Sequence, residues 1–228
     1  MSPPRTTPTS LDREAPAEPA EGTFDFSGGR LCLDFANTVD GARRGDSRDR
    51  LRSYADLLRW ARLAGVLDQA VESHLLGLAD ARPKEAEEVF RRAIALREAI
   101  YSLVAASGRL DGVLAEELRT LNAELAAAGG HRRLEAAAGG CCWVWERDTD
   151  ALDRPLWEVA RSAAELLTSA DLALVRECAS DTCTWLFLDT TRNHSRKWCD
   201  MRDCGNRAKA RRHYLRRRRQ LSEPTAPG

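Results

Sequence analysis

Residues 178–219 read CASDTCTWLFLDTTRNHSRKWCDMRDCGNRAKARRHYLRRRR, and this stretch decides how the rest of the chain is understood. It holds four of the chain's seven cysteines, Cys178, Cys183, Cys199 and Cys204, as two pairs with four residues inside each pair and fifteen between the pairs. Zn2+ takes four thiolates at the corners of a tetrahedron, and the short loops Ala179 to Thr182 and Asp200 to Asp203 would each bring one pair to the metal. Buried free cysteines are the plain alternative, but two identical gaps speak for zinc. His194 or His213 could replace one ligand, but four cysteines already fill the tetrahedron. They also leave no open coordination position, as a catalytic zinc would need. Between the pairs, Trp185 and Phe187 alternate with Leu186 and Leu188, which predicts a strand. Asp189 to Asn193 then supplies turn residues before Trp198.

From Gly205 to Arg219 the chain carries Arg207, Lys209, Arg211, Arg212, Arg216, Arg217, Arg218 and Arg219 and no acidic residue. Projected as a helix at about 100° per residue, Met201, Cys204, Ala208 and Leu215 fall on one apolar stripe, predicted to face the zinc. Arg207, Arg211 and Arg218 flank it on one side, and Lys209, Arg212 and Arg216 on the other. The planar fork of arginine suits phosphate and guanine edges, so DNA is the expected partner of these eight side chains. A solvated charged helix end is the bland reading, and a surface for an acidic protein is the functional alternative. Four consecutive arginines exceed what solubility requires.

The formal net charge of the 228-residue chain is zero, yet side chains sum to −2 over residues 1–22, −4 over 23–170, +7 over 171–219 and −1 over the last nine. Attraction to phosphate depends on local potential within a Debye length of about 8 Å, so a neutral chain can still present a cationic end. Seven of the nine prolines lie in the first nineteen or last five residues, and 1–22 and 221–228 are expected to be disordered tails. No charged start followed by an apolar run marks a secretion signal, and no stretch reaches the ~20 apolar residues of a membrane span. With an odd cysteine number, this composition predicts a reducing, cytoplasmic setting without disulfides.

Between the tails the chain reads as α+β, mainly α: a helical part over 23–170 with short strands, then a small four-cysteine zinc module with a basic helix over 171–220. Leu31, Leu33 and Phe35 alternate with Cys32, Asp34 and Ala36 after Gly28-Gly29, which predicts a short strand. Helical spacing follows at Leu51, Tyr54, Leu58 and Ala61, then at Val71, Leu75 and Leu78 behind an Asp68 cap. It is strongest from Pro83 to Ala106, with Gly108 placed to end the helix. Leu114, Leu118, Leu121 and Leu125 mark another helix, stopped by Gly129 and Gly130. Arg132 to Ala137 and Cys141 to Trp145 flank Gly139-Gly140 as a hairpin with Trp143 and Trp145 on one face. A helix capped at Asp153 and a short helix over Asp171 to Arg176 lead into the cysteines. Cys32, Cys141 and Cys142 read as packing residues.

Trp198-Cys199-Asp200-Met201 followed by Cys204-Gly205-Asn206-Arg207 and Lys209, with Cys178, Cys183 and Phe187-Leu188-Asp189 upstream, resembles the CGNR zinc finger over about residues 176–219. Gly28-Gly29-Arg30-Leu31 to Asp34-Phe35-Ala36-Asn37-Thr38 is similar to the start of the ABATE domain. That domain is the usual companion of the finger in bacterial proteins regarded as stress-induced transcription regulators. The resemblance implies zinc on the four cysteines and DNA as target, and says little about any ligand.

Asp34, Asn37, Thr38 and Asp40 form a polar cluster that could orient a small-molecule effector, with Asp34, Asn37 and Thr38 as its binding residues. Capping and turn bonding explain the same residues more simply. An enzyme would need a nucleophile and a base, and metal-bound thiols are lost as nucleophiles. The chain also lacks a phosphate-cradling glycine loop with a lysine, so no catalytic activity is expected.

Overall fold

The computed structural model describes residues 24–43, 45, 47–106, 114–146 and 150–222, with side chains up to Arg218. The two expected tails, apart from Leu221 and Ser222, and the helix stop at Gly108 lie outside these residues. Seven α-helices and three two-stranded antiparallel hairpins make up the described chain.

The longest helix organises the core. α4 (Pro83–Ala105) starts on its proline, where no N–H partner is needed, and buries Val89, Ala93, Leu96, Ile100 and Leu103 along one face. α2 (Tyr54–Leu63), α3 (Gln69–Ala81), α5 (Ala115–Gly129) and α6 (Arg154–Leu167) pack around it. As expected, Asp68 caps α3, its carboxylate accepting from the Val71 N–H at 2.9 Å. Asp153 precedes α6 but caps nothing through its side chain, which accepts instead from the Trp157 indole at 3.1 Å.

The segment expected as a first strand is a helix, α1 (Leu31–Ala36). Cys32, Leu33, Asp34, Phe35 and Ala36 are all buried, because α1 runs between α4 and α6 and meets protein on every side. A short run buried all round has no polar face, so periodicity cannot tell helix from strand there. After α1 come β1 (Val39–Gly41) and β2 (Ser47–Asp49), paired with each other.

β3 (Arg132–Ala137) and β4 (Gly140–Trp145) form the expected hairpin, with its turn one residue earlier, at Ala138-Gly139. Arg132 lies over the rings of both Trp143 and Trp145, at 4.7 and 5.5 Å from their centres, so the two indoles share a face. Cys141 and Cys142 are exposed, against the expectation that they pack. The hairpin touches the body through Trp145, which lies against Trp157, and its tip stands in solvent. Cys32 is fully buried as expected.

A 3-10 turn at Ala170–Leu174, shorter than the helix expected there, leads into β5 (Val175–Glu177), which pairs with β6 (Leu186–Leu188). β6 is the seam of the molecule. Leu186 and Leu188 enter the main core, while Trp185 and Phe187 enter a second cluster with Cys178, Cys183, Cys199 and Cys204. One alternating strand thus supplies both cores.

Candidate metal centre and basic helix

Cys178 closes β5, and its N–H donates to the Trp185 carbonyl at 2.9 Å, extending the β5–β6 ladder by one step. Cys183 sits across the loop, held by its N–H on the Ser180 carbonyl at 3.0 Å. Cys199 and Cys204 come from the second loop, which ends in a π-helical turn over Met201–Gly205, where the Gly205 N–H donates to the Asp200 carbonyl at 3.0 Å.

All four sulfurs lie within 4.8 Å of one another, and all four residues are buried. The Cys183–Cys199 and Cys199–Cys204 sulfur pairs are 3.7 and 3.6 Å apart. A tetrahedron with Zn–S bonds of about 2.3 Å has edges of about 3.8 Å, so the cage fits Zn2+. Hydrogen bonding from Cys183 drives the Cys178 thiol well below its ordinary range, and bonding with Cys178 drives Cys199 far above it. Four thiols this close cannot ionise together without a cation among them, and a divalent metal supplies that charge. Among the described residues no histidine joins the cluster; His194 Nδ1 faces the Asp189 carbonyl at 3.1 Å.

The basic helix, α7 (Asn206–Ser222), follows directly. Of the expected apolar stripe, Cys204 is buried and Ala208 half-buried, but Met201 and Leu215 are 48% and 47% exposed. The stripe does not face the metal along its length. The π-turn shifts the phase at Met201, and Leu215 stands about 10 Å up the axis from Ala208, beyond the reach of so small a module. From Lys209 to Arg218 every side chain is exposed.

The eight basic residues divide by partner. Arg207 donates to the Cys204 sulfur at 3.1 Å and to Asp203 at 3.1 Å, and Arg211 pairs with Asp181 in the first cysteine loop. These two bind the helix to its own module. Among the described residues, Lys209, Arg212, Arg216 and Arg217 have no acidic partner. Arg218 makes a further interaction, and the Arg219 side chain lies outside the described residues.

Asp34, Asn37 and Thr38 come together at the junction between the helical body and β6, each with at least one polar atom engaged. Asp34 Oδ1 accepts from the Gly28 N–H at 2.7 Å. Asn37 donates its amide to the Leu186 carbonyl and accepts from the Leu186 N–H, both at 2.8 Å. The Thr38 hydroxyl donates to the Phe35 carbonyl at 2.8 Å and accepts from Arg97 at 3.3 Å. Neither of two surface hollows, one beside Trp198 and one beside Trp143, is lined by these residues.

Residue order alone does not single out the contacts that join body and module. The Trp185 indole donates to the Val39 carbonyl at 2.7 Å, the Leu188 N–H to the Gly28 carbonyl at 2.8 Å, and Arg196 to the Ser27 carbonyl at 3.1 Å. Most of these bonds use backbone atoms, which leave no mark in residue type.

This arrangement agrees with what the chain resembles among known families. Residues 175–217 match the CGNR zinc finger, and residues 29–170 match ABATE, described as "Putative stress-induced transcription regulator". No curated protein matches the chain. Since the second of these matches spans more than half of the 228 residues, from α1 to the end of α6, the chain belongs to the ABATE family and carries a CGNR zinc finger after that domain.

Proposed function

We propose that the protein is a cytoplasmic, zinc-dependent regulator of transcription that grips duplex DNA along α7. Residues 171–220 would form the DNA-binding part and 23–170 the regulatory part. Zn2+ is held by Cys178, Cys183, Cys199 and Cys204; its role is to fix the two loops and aim the helix, with no chemistry of its own. The observation that carries this reading is the row of cations without carboxylates. Lys209, Arg212, Arg216 and Arg217 stand on a helix that projects from a rigid base, where a phosphate backbone can lie against them. Arg207 and Arg211 start the helix on its module, and Arg218 and Arg219 extend the charge beyond it.

Phosphate neutralisation releases counterions, so each contact adds about −0.9 to the slope of log affinity against log salt. Replacing Arg212 and Arg216 by Ala should flatten that slope by up to about two units in zinc-loaded protein. Unchanged affinity and slope would instead favour an acidic protein as the partner of this surface. Any effector at Asp34, Asn37 and Thr38 would have to displace Gly28, Leu186 or Arg97. We therefore give these three side chains the task of passing the state of the helical body to β6.

A further inference from the structure

Between β6 and the second cysteine pair runs a loop, residues 189–197, that is built with more care than a connector needs. Asp189 is fully buried, and its carboxylate accepts from the Thr191 N–H at 3.0 Å, the Thr191 hydroxyl at 2.6 Å and the Arg196 N–H at 3.0 Å. The Thr191 bonds hold that carboxyl below the usual carboxylate range. His194 adopts φ 44°, a conformation that costs a non-glycine residue energy, and is held there by its N–H on the Thr191 carbonyl at 3.0 Å. Arg196 turns inward, over the Phe187 ring at 4.3 Å and onto the carbonyls of Ser27, Trp198 and Cys199.

What this frame presents outward is uniformly polar or cationic. Arg192, Asn193, Ser195 and Lys197 are exposed, and no acidic residue occurs from Thr190 to Cys199. Among the described residues, Arg192 and Lys197 form no ion pair. On the helical body exposed arginines commonly carry acid partners, as Arg91 does with Glu88, Arg119 with Glu116 and Arg133 with Glu146. The loop and the π-turn that precedes the basic helix border one hollow of about 580 Å3, walled by Ser195, Lys197 and Trp198 on one side and by Asp200 and Met201 on the other.

We propose that this loop is a second contact for the phosphate backbone of duplex DNA, with Arg192 and Lys197 supplying charge and Asn193 and Ser195 hydrogen bonds. This rests on the reading of α7 as a DNA-binding helix and enlarges its footprint. A loop already fixed in shape loses little entropy when a strand binds, which accounts for the buried carboxylate and the left-handed His194. DNA fits better than an acidic protein because the exposed cations alternate along the loop with small hydroxyl and amide side chains, a pattern suited to phosphate oxygens.

The test uses the full, zinc-loaded chain and a labelled duplex of mixed sequence. Arg192→Ala with Lys197→Ala should weaken binding roughly tenfold or more at physiological salt and flatten the salt slope by up to about two units. Asp189→Asn removes a negative charge, so attraction alone predicts tighter binding. If loop shape matters, binding weakens instead, by about threefold or more, at full zinc content. Should Arg192→Ala/Lys197→Ala bind as the parent does while Arg212→Ala/Arg216→Ala does not, the loop is no contact and the helix reading stands. Tighter binding by Asp189→Asn removes the argument from loop shape. If the parent chain shows no salt-dependent binding to the duplex, loop and helix fall together.

Discussion

At the scale of single residues, Asp34 shows how the junction between body and zinc module is tuned. Its carboxylate is 8% exposed, and burial raises its pKa from 3.8 to about 6, only partly offset by the Gly28 N–H and aided by repulsion from Asp25. A Cβ on residue 28 would stand 2.8 Å from Asp34 Oδ1 and 2.9 Å from Leu33 Cβ, so only glycine allows this close bond. With a folded pKa above the unfolded one, the folded state holds the proton more tightly. The stability tied to protonated Asp34 is therefore complete below about pH 4 and is lost as pH rises through about 6. Ionised Asp34 then costs at most about 3 kcal/mol near neutrality. Asp34→Asn keeps an acceptor for Gly28 and removes the charge. Urea unfolding at pH 4 and pH 7 should show the variant gaining on the parent at the higher pH, and a difference that does not change with pH would disprove the assignment.

At the scale of elements, β6 is short of a neighbour on one edge, and Asn37 fills the gap. Its amide gives Leu186 both a donor and an acceptor at 2.8 Å, as a strand would. Asn37→Ala would leave two buried backbone groups unpaired, a loss of about 2–4 kcal/mol seen as a lower Tm of the whole chain. A fall within about 0.5 kcal/mol of the parent would mean that water replaces the amide. The element pattern also explains what could be read from residue order. Asp68 and Pro83 mark helix starts through side-chain or φ constraints that act locally, and the cysteine spacing announces its loops in the same way, whereas α5 ends at Gly129 with Gly130 at φ −64°, a conformation any residue adopts. The alternation of Trp185, Leu186, Phe187 and Leu188 is equally visible, but its two faces serve two cores, and which partner lies on each face depends on tertiary packing. α1 was hidden for the same reason, since burial on all sides erases its period. The loop frame around Asp189 escaped because its bonds run largely to backbone atoms.

At the scale of the whole molecule, the zinc module and the helical body are tied more closely than two linked units would be. Leu186 and Leu188 are 2% and 6% exposed in the main core, while their strand neighbours Trp185 and Phe187 pack on the cysteines. Bonds from Trp185 to Val39, from Leu188 to Gly28 and from Arg196 to Ser27 cross the same seam. Structural zinc contributes about 10–16 kcal/mol to the folding of small modules, as much as the whole stability of many domains. If that energy were confined to the finger, removing metal would melt the C-terminal residues and leave the helices at their original Tm. A shared β6 transmits it instead. Cys199→Ser, or chelation of the parent, should therefore release zinc and also lower the main helical transition. About 1 kcal/mol moves Tm by about 2–4 °C in a chain of this size, so a drop of about 10 °C or more is expected. Calorimetry of the zinc-loaded chain should show one transition, and circular dichroism of the metal-free form should place helix loss at the lower temperature. Two transitions, with the helical one unmoved by chelation, would show that the body folds without regard to the metal. A signal could then pass between the two only through a third partner.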